Sequence, residues 1–503
     1  MGEWVSPAQR QISLLSPSTF CFLNETHTLD DVGWDDRGLD KLWRYNLHYF
    51  DDLNARDGYL RCDWHVALLK RWVAENYPGF GNGWEPYPTS LRIVNWVKWK
   101  LAGNVLPDVC VQSLAMQARW LSKRLEQHLL GNHLFANAKA LVFAGVFFAG
   151  GEADIYLEQG LSIINRELSE QVLPDGGNFE RSTMYHGIFL EDVLDLINIA
   201  QVYPGCIDVK VVEGWRETAG RMLSWMIGMV HPDGQIALFN DAAFYVAPEP
   251  AELFVYAERL GLHGAEPVTN VRWQLQHWPE SGYIRLNSPG AVALLDVAPV
   301  GPDYLPGHAH ADTLSFELSL FDQRVVVNGG TSRYGLGPER LRERQTVSHS
   351  TVEVAGQSSS EVWGGFRVAR RAYPFDFESS QEHELLSVTC SHDGYTRLPN
   401  KPIHRREWVM DSSGLLVTDL VVGGEYSAVA RYILHPAVQV AEAGENEWLL
   451  VLPRGENVHI KVLTGRAKLE PANYAPEFGR VLPTHCLAVS LAEGLARTQL
   501  IWH

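Results

Sequence analysis

Residues 281–298, SGYIRLNSPGAVALLDVA, mark the place where the hydrophobic spacing of this chain changes its period. From here on, short alternating or β-branched runs follow one another, such as LSFELSL, RVVVNGG, STVEVAG and GLLVTDLVVGG. Turns of Gly, Pro and Asp separate these runs, which is the pattern of antiparallel strands. The C-terminal half of the chain is therefore predicted to be antiparallel β.

Upstream of this switch the spacing is mostly helical. In YHGIFLEDVLDLINIA, which starts at Tyr185, apolar residues recur at intervals of three and four. Similar Pro-Asp-Gly turns occur in LPDGGNF at 173–179 and HPDGQIALFND at 231–241, as in a repeat of helical hairpins that winds into an α/α toroid. We predict a multidomain α+β chain with an N-terminal α/α toroid at residues 1–278 and a C-terminal antiparallel β-sandwich at 279–503.

The composition narrows the function classes. With 503 residues, of which 46% are apolar, the chain can bury two large cores. Its formal net charge of −18 argues against a general nucleic-acid binder, and a polyanionic substrate would need a local basic groove. The most apolar segment, LVFAGVFFAGG from Leu141, is too short to span a membrane and is predicted to be a buried helix.

The N-terminus bears on localisation. MGEWVSPAQRQISLLSPS lacks the features of a signal peptide, which predicts a cytoplasmic protein, or a periplasmic or secreted one whose leader was removed. The oligomeric state is left open by the sequence.

Aromatic residues are frequent in the N-terminal half, in polar company. The chain has 17 tryptophans, and rings cluster in LWRYNLHYFDD at 42–52 and in GWEPYPTSLRIVNWVKW at 83–99. Such rings either stack on sugars or fill core space between helices. The polar neighbours favour a carbohydrate groove. The candidate substrate-binding residues of these segments are Tyr45, His48, Arg92 and Asn95.

Two further polar clusters precede apolar helices. GNHLFANAKAL brings Asn132, His133 and Asn137 together. They form either a hydrogen-bonded cap at the start of a helix or a set of donors that face a cavity. NFERSTMYHG places Glu180 and Tyr185 just after a Pro-Asp-Gly turn. The tyrosine either packs in the core or, beside a cation at a cleft, transfers protons.

GHAHADTLSFEL, residues 307–318, has histidines at alternate positions. Strand alternation would place His308, His310 and Asp312 on one face. Two histidines are too few for a metal site, and the nearest further candidates are Asn328 in VVVNGG and His349 in SHSTVEV. Metal ligands and a purely structural histidine pair are both compatible with the pattern.

In this order, GNHLFANAKAL, NFERSTMYHG, GHAHADTLSFEL, VVVNGGTSRYG and SHSTVEVAG resemble the heparinase II/III-like polysaccharide lyases. The resemblance covers most of the chain and implies an α/α toroid followed by an antiparallel β-sandwich. It also implies β-elimination at a 4-linked uronic acid in a glycosaminoglycan or alginate type of polysaccharide. In that reaction the carboxylate is neutralised, a base removes the C5 proton, and an acid protonates the leaving O4.

The resemblance also implies residue roles. Asn132 or His133 would neutralise the carboxylate, Tyr185 would act as acid and also as candidate base, and His308 would be the second proton-transfer group. His310 and His349 match metal ligands of part of the family, for zinc or manganese. Asn328 stands where the family often has Asp, which would weaken a divalent cation site. The remaining substrate-binding candidates are Asn137, Glu180, Arg333 and Tyr334.

Arginines near the VVVNGG strand offer the required basic groove. They are Arg333, Arg340, Arg342 and Arg344. A solvated loop balanced by Glu339 and Glu343 is the alternative.

Two other function classes stay open at this point. A toroid glycoside hydrolase would use paired carboxylates such as Glu180 and Asp241, and would give saturated products. A non-catalytic polysaccharide-binding protein would keep the aromatic groove and tolerate loss of Tyr185. For the lyase, we predict that His308 transfers protons and that His310 has a structural role.

Overall fold

The computed structural model describes residues 2–262 and 272–502. By internal contacts the chain divides into two compact units, each built from separate segments. The helical unit comprises Met1–Gly176, Gly187–Leu223 and Tyr245–Ala265, and the strand unit comprises Gly177–His186, Ser224–Phe244 and Glu266–His503. This division differs from the single predicted boundary after residue 278, because two segments of the N-terminal half belong to the strand unit.

The helical unit begins with a small antiparallel sheet, β1 to β3, at Leu14–Ser16, Thr19–Phe22 and Glu25–Thr28. The helices that follow are α1 Leu29–Val32, α2 Lys41–Tyr49, α3 Cys62–Glu75, α4 Pro86–Leu101, α5 Asp108–Leu121, α6 Gly131–Phe147, α7 Gly151–Gln171, α8 Thr183–Val202, α9 Val209–Met229 and α10 Pro250–Arg259. Helix α8 starts in the strand unit and continues in the helical unit, whereas α9 runs the other way.

Helix α6 confirms the predicted buried helix. Almost every side chain from Leu134 to Val146 is buried, as the lack of a polar face requires. Its neighbour α7 approaches it closely at Gly160. A Cβ at this position would lie only 2.8 Å from the carbonyl oxygen of Ala138, so the close approach requires a glycine. Within residues 2–262 and 272–502, no helix is long and apolar enough to cross a membrane.

The strand unit contains two large antiparallel sheets and the short helix α11, Pro338–Arg344. Its strands are β4 Gln274–Trp278, β5 Tyr283–Ser288, β6 Ala291–Asp296, β7 Phe316–Leu320, β8 Gln323–Val327, β9 Val352–Val354, β10 Val362–Trp363, β11 Arg367–Val368, β12 Pro374–Glu382, β13 Leu385–His392, β14 Ile403–Asp411, β15 Gly414–Val422, β16 Ala428–Leu434, β17 Gln439–Gly444, β18 Glu447–Val451, β19 Asn457–Thr464, β20 Arg466–Glu477, β21 Arg480–Ser490 and β22 Leu495–Trp502.

The first large sheet has the order β12-β13-β14-β15-β22-β19-β18-β17. The second has the order β20-β21-β16-β8-β7-β6-β5-β4, with β9 paired to β16. Both contribute to one hydrophobic core, in which Phe316 and Leu318 of β7 belong to the same buried cluster as Trp408 and Met410 of β14. The prediction of an α+β chain with helices first and antiparallel strands after them is confirmed at this level.

The residues at which the spacing changes form strands β5 and β6, next to the edge strand β4 of the second sheet. Strands β5 and β6 form a hairpin in which Tyr283 pairs with Asp296 and Ser288 with Ala291, and both are buried throughout. Burial on both faces explains why this stretch is apolar rather than strictly alternating. The hairpin also contributes Tyr283 to a second small core with Trp225 and Phe239, which fixes the segment 224–244 in the strand unit.

Candidate active site

Tyr185 and His308, both predicted to be catalytic, lie in contact within the strand unit. Tyr185 occupies the first turn of α8, where its backbone N–H donates to Oγ of Ser182 at 3.1 Å. Its ring centroid is 4.0 Å from that of the His308 imidazole. Its hydroxyl is 2.8 Å from the hydroxyl of Tyr334, a predicted substrate-binding residue. The structure thus brings three of the predicted site residues together.

His308 is oriented by Asp241. The imidazole Nδ1 lies 2.9 Å from Oδ2 of Asp241, and the backbone N–H of Asp241 donates to the carbonyl oxygen of His308, also at 2.9 Å. A carboxylate only accepts, so Nδ1 of His308 carries a proton, and Nε2 is the nitrogen that accepts a proton when the imidazole is neutral. That Nε2 lies 3.6 Å from Oε2 of the buried Glu180.

Arg340 keeps Asp241 ionised. Its guanidinium binds both carboxylate oxygens, one through Nη1 and the other through Nη2 at 2.7 Å. Burial alone would raise the pKa of Asp241, but the charge of Arg340 and the hydrogen bonds from His308 and His310 hold that pKa well below its ordinary range. The carboxylate is therefore a fixed negative charge behind His308.

His308 and Tyr185 are the two candidate proton-transfer groups. The His308 side chain is 17% exposed, although its partner Asp241 is fully buried. Burial, followed by the neighbouring Tyr334, raises the pKa of Tyr185 well above its ordinary value. Tyr185 is therefore a protonated phenol at neutral pH, which suits a proton donor.

The segment that carries His308 is not the predicted strand. Residues 307–314 are irregular, with Leu314 at a φ of +62°, and the strand β7 begins only at Phe316. His308 and His310 nevertheless converge, because Nε2 of His310 donates to the other carboxylate oxygen of Asp241 at 2.8 Å. A shared carboxylate, rather than strand alternation, brings the two histidines together.

The predicted metal ligands are adjacent but do not converge on one point. Nδ1 of His310 faces Nε2 of His349 at 3.3 Å, and burial lowers the pKa of His310 to about 4 and that of His349 to about 3. Both imidazoles are therefore neutral, as ligands must be. Oδ1 of Asn328, however, lies 3.4 Å from Nδ1 of His349, the nitrogen that points away from His310.

Two nitrogens do not make a metal site. Across residues 2–262 and 272–502, no group of three or more His, Cys, Asp or Glu side chains is arranged to hold a metal ion. As placed here, Oδ1 of Asn328 lies beside the nitrogen of His349 that points away from His310, so it does not face the gap between the two imidazoles, and its ligand role stays a prediction. The residues present do not fit a complete metal site.

The other two predicted catalytic residues belong to the helical unit. Asn132 is half-buried at the start of α6. The His133 side chain is 31% exposed, its Nδ1 lies 3.1 Å from Oε1 of Glu126, and its ring is 4.3 Å from that of Tyr87. Both positions are open enough to meet a ligand.

Asn137, by contrast, has a structural role. It is fully buried, its Oδ1 accepts from the backbone N–H of Glu126 at 2.8 Å, and its Nδ2 donates to Ser90 at 3.0 Å and to Glu126 at 3.1 Å. All its polar atoms are engaged in joining α6 to α4 and to the preceding loop. This corrects the prediction that Asn137 binds substrate.

The aromatic groove predicted from residues 42–52 and 83–99 is largely a core. His48 is fully buried between the carbonyl of Trp34, 3.0 Å from Nε2, and the indole N–H of Trp72, 3.0 Å from Nδ1. Arg92 is also fully buried, stacks 3.8 Å from the Trp72 ring, and donates to Gln117 at 2.9 Å. Neither side chain can reach a substrate, so the predicted binding role is wrong for both.

Asn95 and Tyr45 also have protein partners. The Asn95 side chain is buried and donates to the carbonyl of Tyr49 at 2.9 Å and to Asp51 at 2.7 Å, so its predicted substrate contact is corrected as well. Tyr45 is half-buried with its hydroxyl bonded to Glu85, and its binding role stays a prediction.

The predicted basic groove is replaced by buried arginines. Arg340 and Arg344 of α11 are fully buried, the first on Asp241 and the second with Nε and Nη2 donating to the carbonyl of Ala309 at 3.1 and 2.9 Å. The alternative of a solvated loop fails for these two arginines only, because Arg342 and Glu339 are exposed. Arg333 is exposed, 3.9 Å from Glu339, and stays a candidate binding residue.

Asp241 is the functional residue that sequence reasoning assigned to another role. It was a candidate acid or base of a hydrolase, but its carboxylate is fully buried and bound by His308, His310 and Arg340. It therefore cannot exchange protons with a substrate. The sequence feature that could have indicated this position is the HPDGQIALFND motif. Its turn reverses the direction of the chain, so that Asp241 contacts the segment that carries His308.

The sequence is similar to one known family over two consecutive stretches. The sequence matches the family descriptions "Heparinase II/III N-terminus" over residues 92–250 and "Heparinase II/III-like, C-terminal" over residues 270–497. The two matches are consecutive and together cover most of the chain. The chain belongs to the heparinase II/III-like family.

Named relatives are distant. A heparin-sulfate lyase of Bacteroides stercoris is 25% identical over 336 residues, which cover 63% of this chain and 47% of the relative. A heparin-sulfate lyase of Pedobacter heparinus is 24% identical over 336 residues, with 62% and 47% covered. This chain thus spans about half the length of these curated relatives. A crystal structure of heparinase III shares the fold, with a TM-score of 0.74, 18% identity, and 93% of this chain and 79% of that chain covered.

Proposed function

We propose that this protein is a polysaccharide lyase that cleaves a 4-linked uronic-acid polysaccharide by β-elimination. The observation that carries the proposal is the contact between the Tyr185 phenol and the His308 imidazole, whose ring centroids are 4.0 Å apart. One group is a proton donor and the other a proton acceptor oriented by Asp241. Membership of the heparinase II/III-like family supports the same reaction.

The proposed elimination uses both groups in turn. Nε2 of His308 takes the proton from C5 of the uronic acid, and the electrons of that C–H bond form the C4–C5 double bond. The C4–O4 bond breaks, and O4 takes the hydroxyl proton of Tyr185. Because burial raises the pKa of Tyr185, we assign this residue the acid role and His308 the base role.

Before proton abstraction, the substrate carboxylate must be neutralised, because C5–H is only weakly acidic beside a negative charge. We assign this step to Asn132 or His133, as the family resemblance implies. Tyr334, bonded to Tyr185, is the polar side chain proposed to contact the sugar at the reacting bond, whereas Glu180 is more buried than Asn95 and is not assigned a substrate contact.

The finer architecture is proposed on the same basis. The helices from α2 to α10 are expected to form an α/α toroid, and the two large sheets a β-sandwich. The fold shared with heparinase III at a TM-score of 0.74 supports both expectations.

The names of the relatives, heparin-sulfate lyases, favour a glycosaminoglycan substrate. The test is to incubate the protein with heparosan, heparan sulfate, hyaluronan, chondroitin and alginate, and to follow ultraviolet absorbance together with reducing ends. A lyase creates a double bond conjugated to the carboxylate, so both signals should rise together. Reducing ends without absorbance would support a hydrolase, and neither signal would support a binding protein.

A divalent metal, zinc or manganese, stays a prediction that is separate from the reaction. His310 and His349 would supply two imidazole ligands, and no proton transfer above passes through the ion. Elemental analysis of the purified protein checks the prediction. A stoichiometric ion that is lost in His349→Ala would support it, and an ion-free active enzyme would contradict it.

A further inference from the structure

A hairpin beside the Tyr185 and His308 pair carries aromatic and basic side chains that the proposed reaction does not use. It consists of β10 and β11, in which Val362 pairs with Val368 and Trp363 pairs with Arg367. Residues directly opposite each other in an antiparallel pair project from the same face. The guanidinium of Arg367 accordingly lies 5.4 Å from the centre of the Trp363 ring.

The apolar rings of this hairpin face solvent. Trp363 is 53% exposed and Phe366, in the turn, is 42% exposed. Two large aromatic side chains on one short hairpin form an exposed patch of the kind that marks a binding surface. On a chain with a net charge of −18, the adjacent exposed Arg367 makes this patch locally basic.

The patch is continuous with the candidate active site. The Phe366 ring is 5.9 Å from that of His308 and 5.3 Å from that of Tyr334. The turn is anchored as well, because Nε of Arg340 donates to the carbonyl oxygen of Gly365 at 3.1 Å. The arginine that holds Asp241 therefore also holds the hairpin turn.

The chain that follows the hairpin, from Ala369 to Arg371, lines a cavity of about 670 Å³. Lining residues include Arg370, Arg371, Tyr373 and Arg397. The first two arginines are paired with acids, Arg370 with Glu361 and Arg371 with Asp303. Arg367 differs, because no acid in the described part of the chain forms an ion pair with it. It is the hairpin cation that is available to an anionic ligand.

We propose that Trp363 and Arg367 form a binding subsite for an acidic sugar unit of the polysaccharide. The exposed indole would stack on the C–H face of a pyranose ring, and Arg367 would pair with its carboxylate or sulfate group. Phe366 connects this unit to the one at His308. The inference rests on the proposed function and deepens it, since it names the contacts of a second sugar unit, on either side of the cleaved bond.

The first test measures KM and kcat of Trp363→Ala, Trp363→Phe and Arg367→Gln on whichever polysaccharide the parent cleaves. Trp363→Ala and Arg367→Gln are each expected to raise KM about three- to tenfold, where tenfold corresponds to about 1.4 kcal/mol, with a smaller change in kcat. Trp363→Phe keeps a stacking ring and should recover most of the loss. Arg466→Gln, at an exposed arginine on β20, is the matched control and should leave both constants unchanged.

Salt dependence sharpens the test. Removing the cation of Arg367 should weaken the rise of KM with ionic strength, whereas Trp363→Ala should leave that slope as in the parent. Parental KM in both Trp363→Ala and Arg367→Gln would overturn the subsite.

A direct binding experiment separates this proposal from the lyase proposal. Fluorescent heparosan, which carries carboxylates only, and heparan sulfate, which also carries sulfates, are titrated with the parent and the variants, with dextran as the neutral control. Binding to an acidic polymer that both variants weaken supports the subsite, even if no polymer is cleaved. No binding of either acidic polymer, equal binding of dextran, or binding that the variants leave unchanged would overturn it.

Discussion

Two chains of buried hydrogen bonds in the strand unit use the same residue types in the same order: two histidines, an aspartate and an arginine. The first, which we call the open relay, is His349, His310, Asp241 and Arg340, and the second, the sealed relay, is His392, His404, Asp419 and Arg406. In both relays an imidazole Nε2 lies 2.8 Å from Oδ1 of the aspartate, and the arginine binds both carboxylate oxygens.

The sealed relay is closed at both ends. The backbone N–H of Gly394 donates to Nδ1 of His392 at 3.1 Å, so Nε2 of His392 carries the proton that is donated to His404. At the other end Arg406 also donates to the carbonyls of Leu314 and Ser350, at 2.8 and 2.7 Å. Every imidazole nitrogen has one defined partner, and no member reaches solvent.

The open relay differs at its aspartate. Asp241 accepts two further hydrogen bonds, from the hydroxyl of Thr331 at 3.4 Å and from Nδ1 of His308, and this imidazole is 17% exposed and touches Tyr185. The same arrangement thus locks strands together in one place and orients a reactive imidazole in the other. A buried His-Asp-Arg group is by itself a structural device, and the additional partially exposed histidine distinguishes the site.

The largest expected effect comes from removing the hydroxyl of Tyr185. Tyr185→Phe keeps the ring against His308 but removes the proton donor, so turnover should fall about a hundredfold or more, within the range of lost general acid catalysis. The melting temperature should stay close to that of the parent. Turnover is measured from the absorbance of the unsaturated product.

The matched control is Tyr432→Phe, which removes a fully buried hydroxyl close to Asp419 in the sealed relay. This variant should turn over like the parent. Equal losses in the two variants, or near-parental turnover of Tyr185→Phe, would remove Tyr185 from the mechanism.

Substituting the aspartates tests the comparison itself. Asp241→Asn weakens the hold on His308, so turnover per folded molecule should fall about ten- to a hundredfold, the effect of losing an orienting partner in general base catalysis. In Asp419→Asn it should stay near the parental value. Both substitutions break a buried ion pair and should lower stability, by about 3–5 kcal/mol. Circular dichroism gives the folded fraction that normalises both rates.

A double variant distinguishes positioning from general damage. If Asp241 acts through His308, then His308→Ala and the pair His308→Ala with Asp241→Asn should have nearly the same turnover, because the two effects are not additive. Additive losses in the double variant would mean that Asp241 acts by another route.

Local patterns predicted the order of helices and strands and selected separate candidate residues of the site. The change of hydrophobic spacing at residues 281–298 predicted the strands of the β5 and β6 hairpin. The apolar run that starts at Leu141 predicted the buried helix α6. Motifs also selected Tyr185 and His308, which are 123 positions apart in the sequence and in contact in the structure.

The inferences that failed were ones that needed the tertiary neighbourhood. His48 and Arg92 have the residue types of a sugar groove, but burial among tryptophans makes them core groups. Asp241 meets His308 across 67 residues of sequence, and Arg340 meets Asp241 across 99. Residue type shows that a side chain can transfer a proton or bind an ion, but only the fold decides whether water and substrate reach it.

A smaller effect is expected from opening the sealed relay. His404→Gln removes an imidazole that bonds to His392 and Asp419, at 3.1 and 2.8 Å, and leaves two buried polar groups with poorer partners. The melting temperature should fall by several degrees, while turnover below the transition should match the parent. Thermal unfolding followed by circular dichroism and the absorbance assay give the two quantities. A loss of turnover in this variant, with an unchanged melting temperature, would contradict the assignment of the sealed relay to structure.

The smallest expected effect is a difference in pH dependence. Burial, as the largest cause, lowers the pKa of His404 below its ordinary value, as it lowers that of His310 to about 4. Below pH 6.5, roughly the ordinary pKa of histidine, these imidazoles bind protons in the unfolded chain but stay neutral in the folded protein. Their contribution to the free energy of unfolding is therefore fully present above that pH and decreases as the pH falls towards their pKa values in the folded protein. The lowered pKa of Asp419, about 2, acts only in more acidic solution, because its contribution is present above the ordinary aspartate pKa.

Between pH 7 and pH 5 the melting temperature of the parent should therefore decrease. That of His404→Gln should decrease less, because this variant lacks one buried imidazole whose pKa is lowered by folding. Tyr432→Phe removes no group that titrates in this range and should follow the parent. The measurement is the melting temperature of all three proteins in buffers of matched ionic strength. If His404→Gln lost as much stability as the parent over this interval, the imidazole of His404 would not be held neutral by the sealed relay, and the two relays would differ in protonation as well as in access to His308.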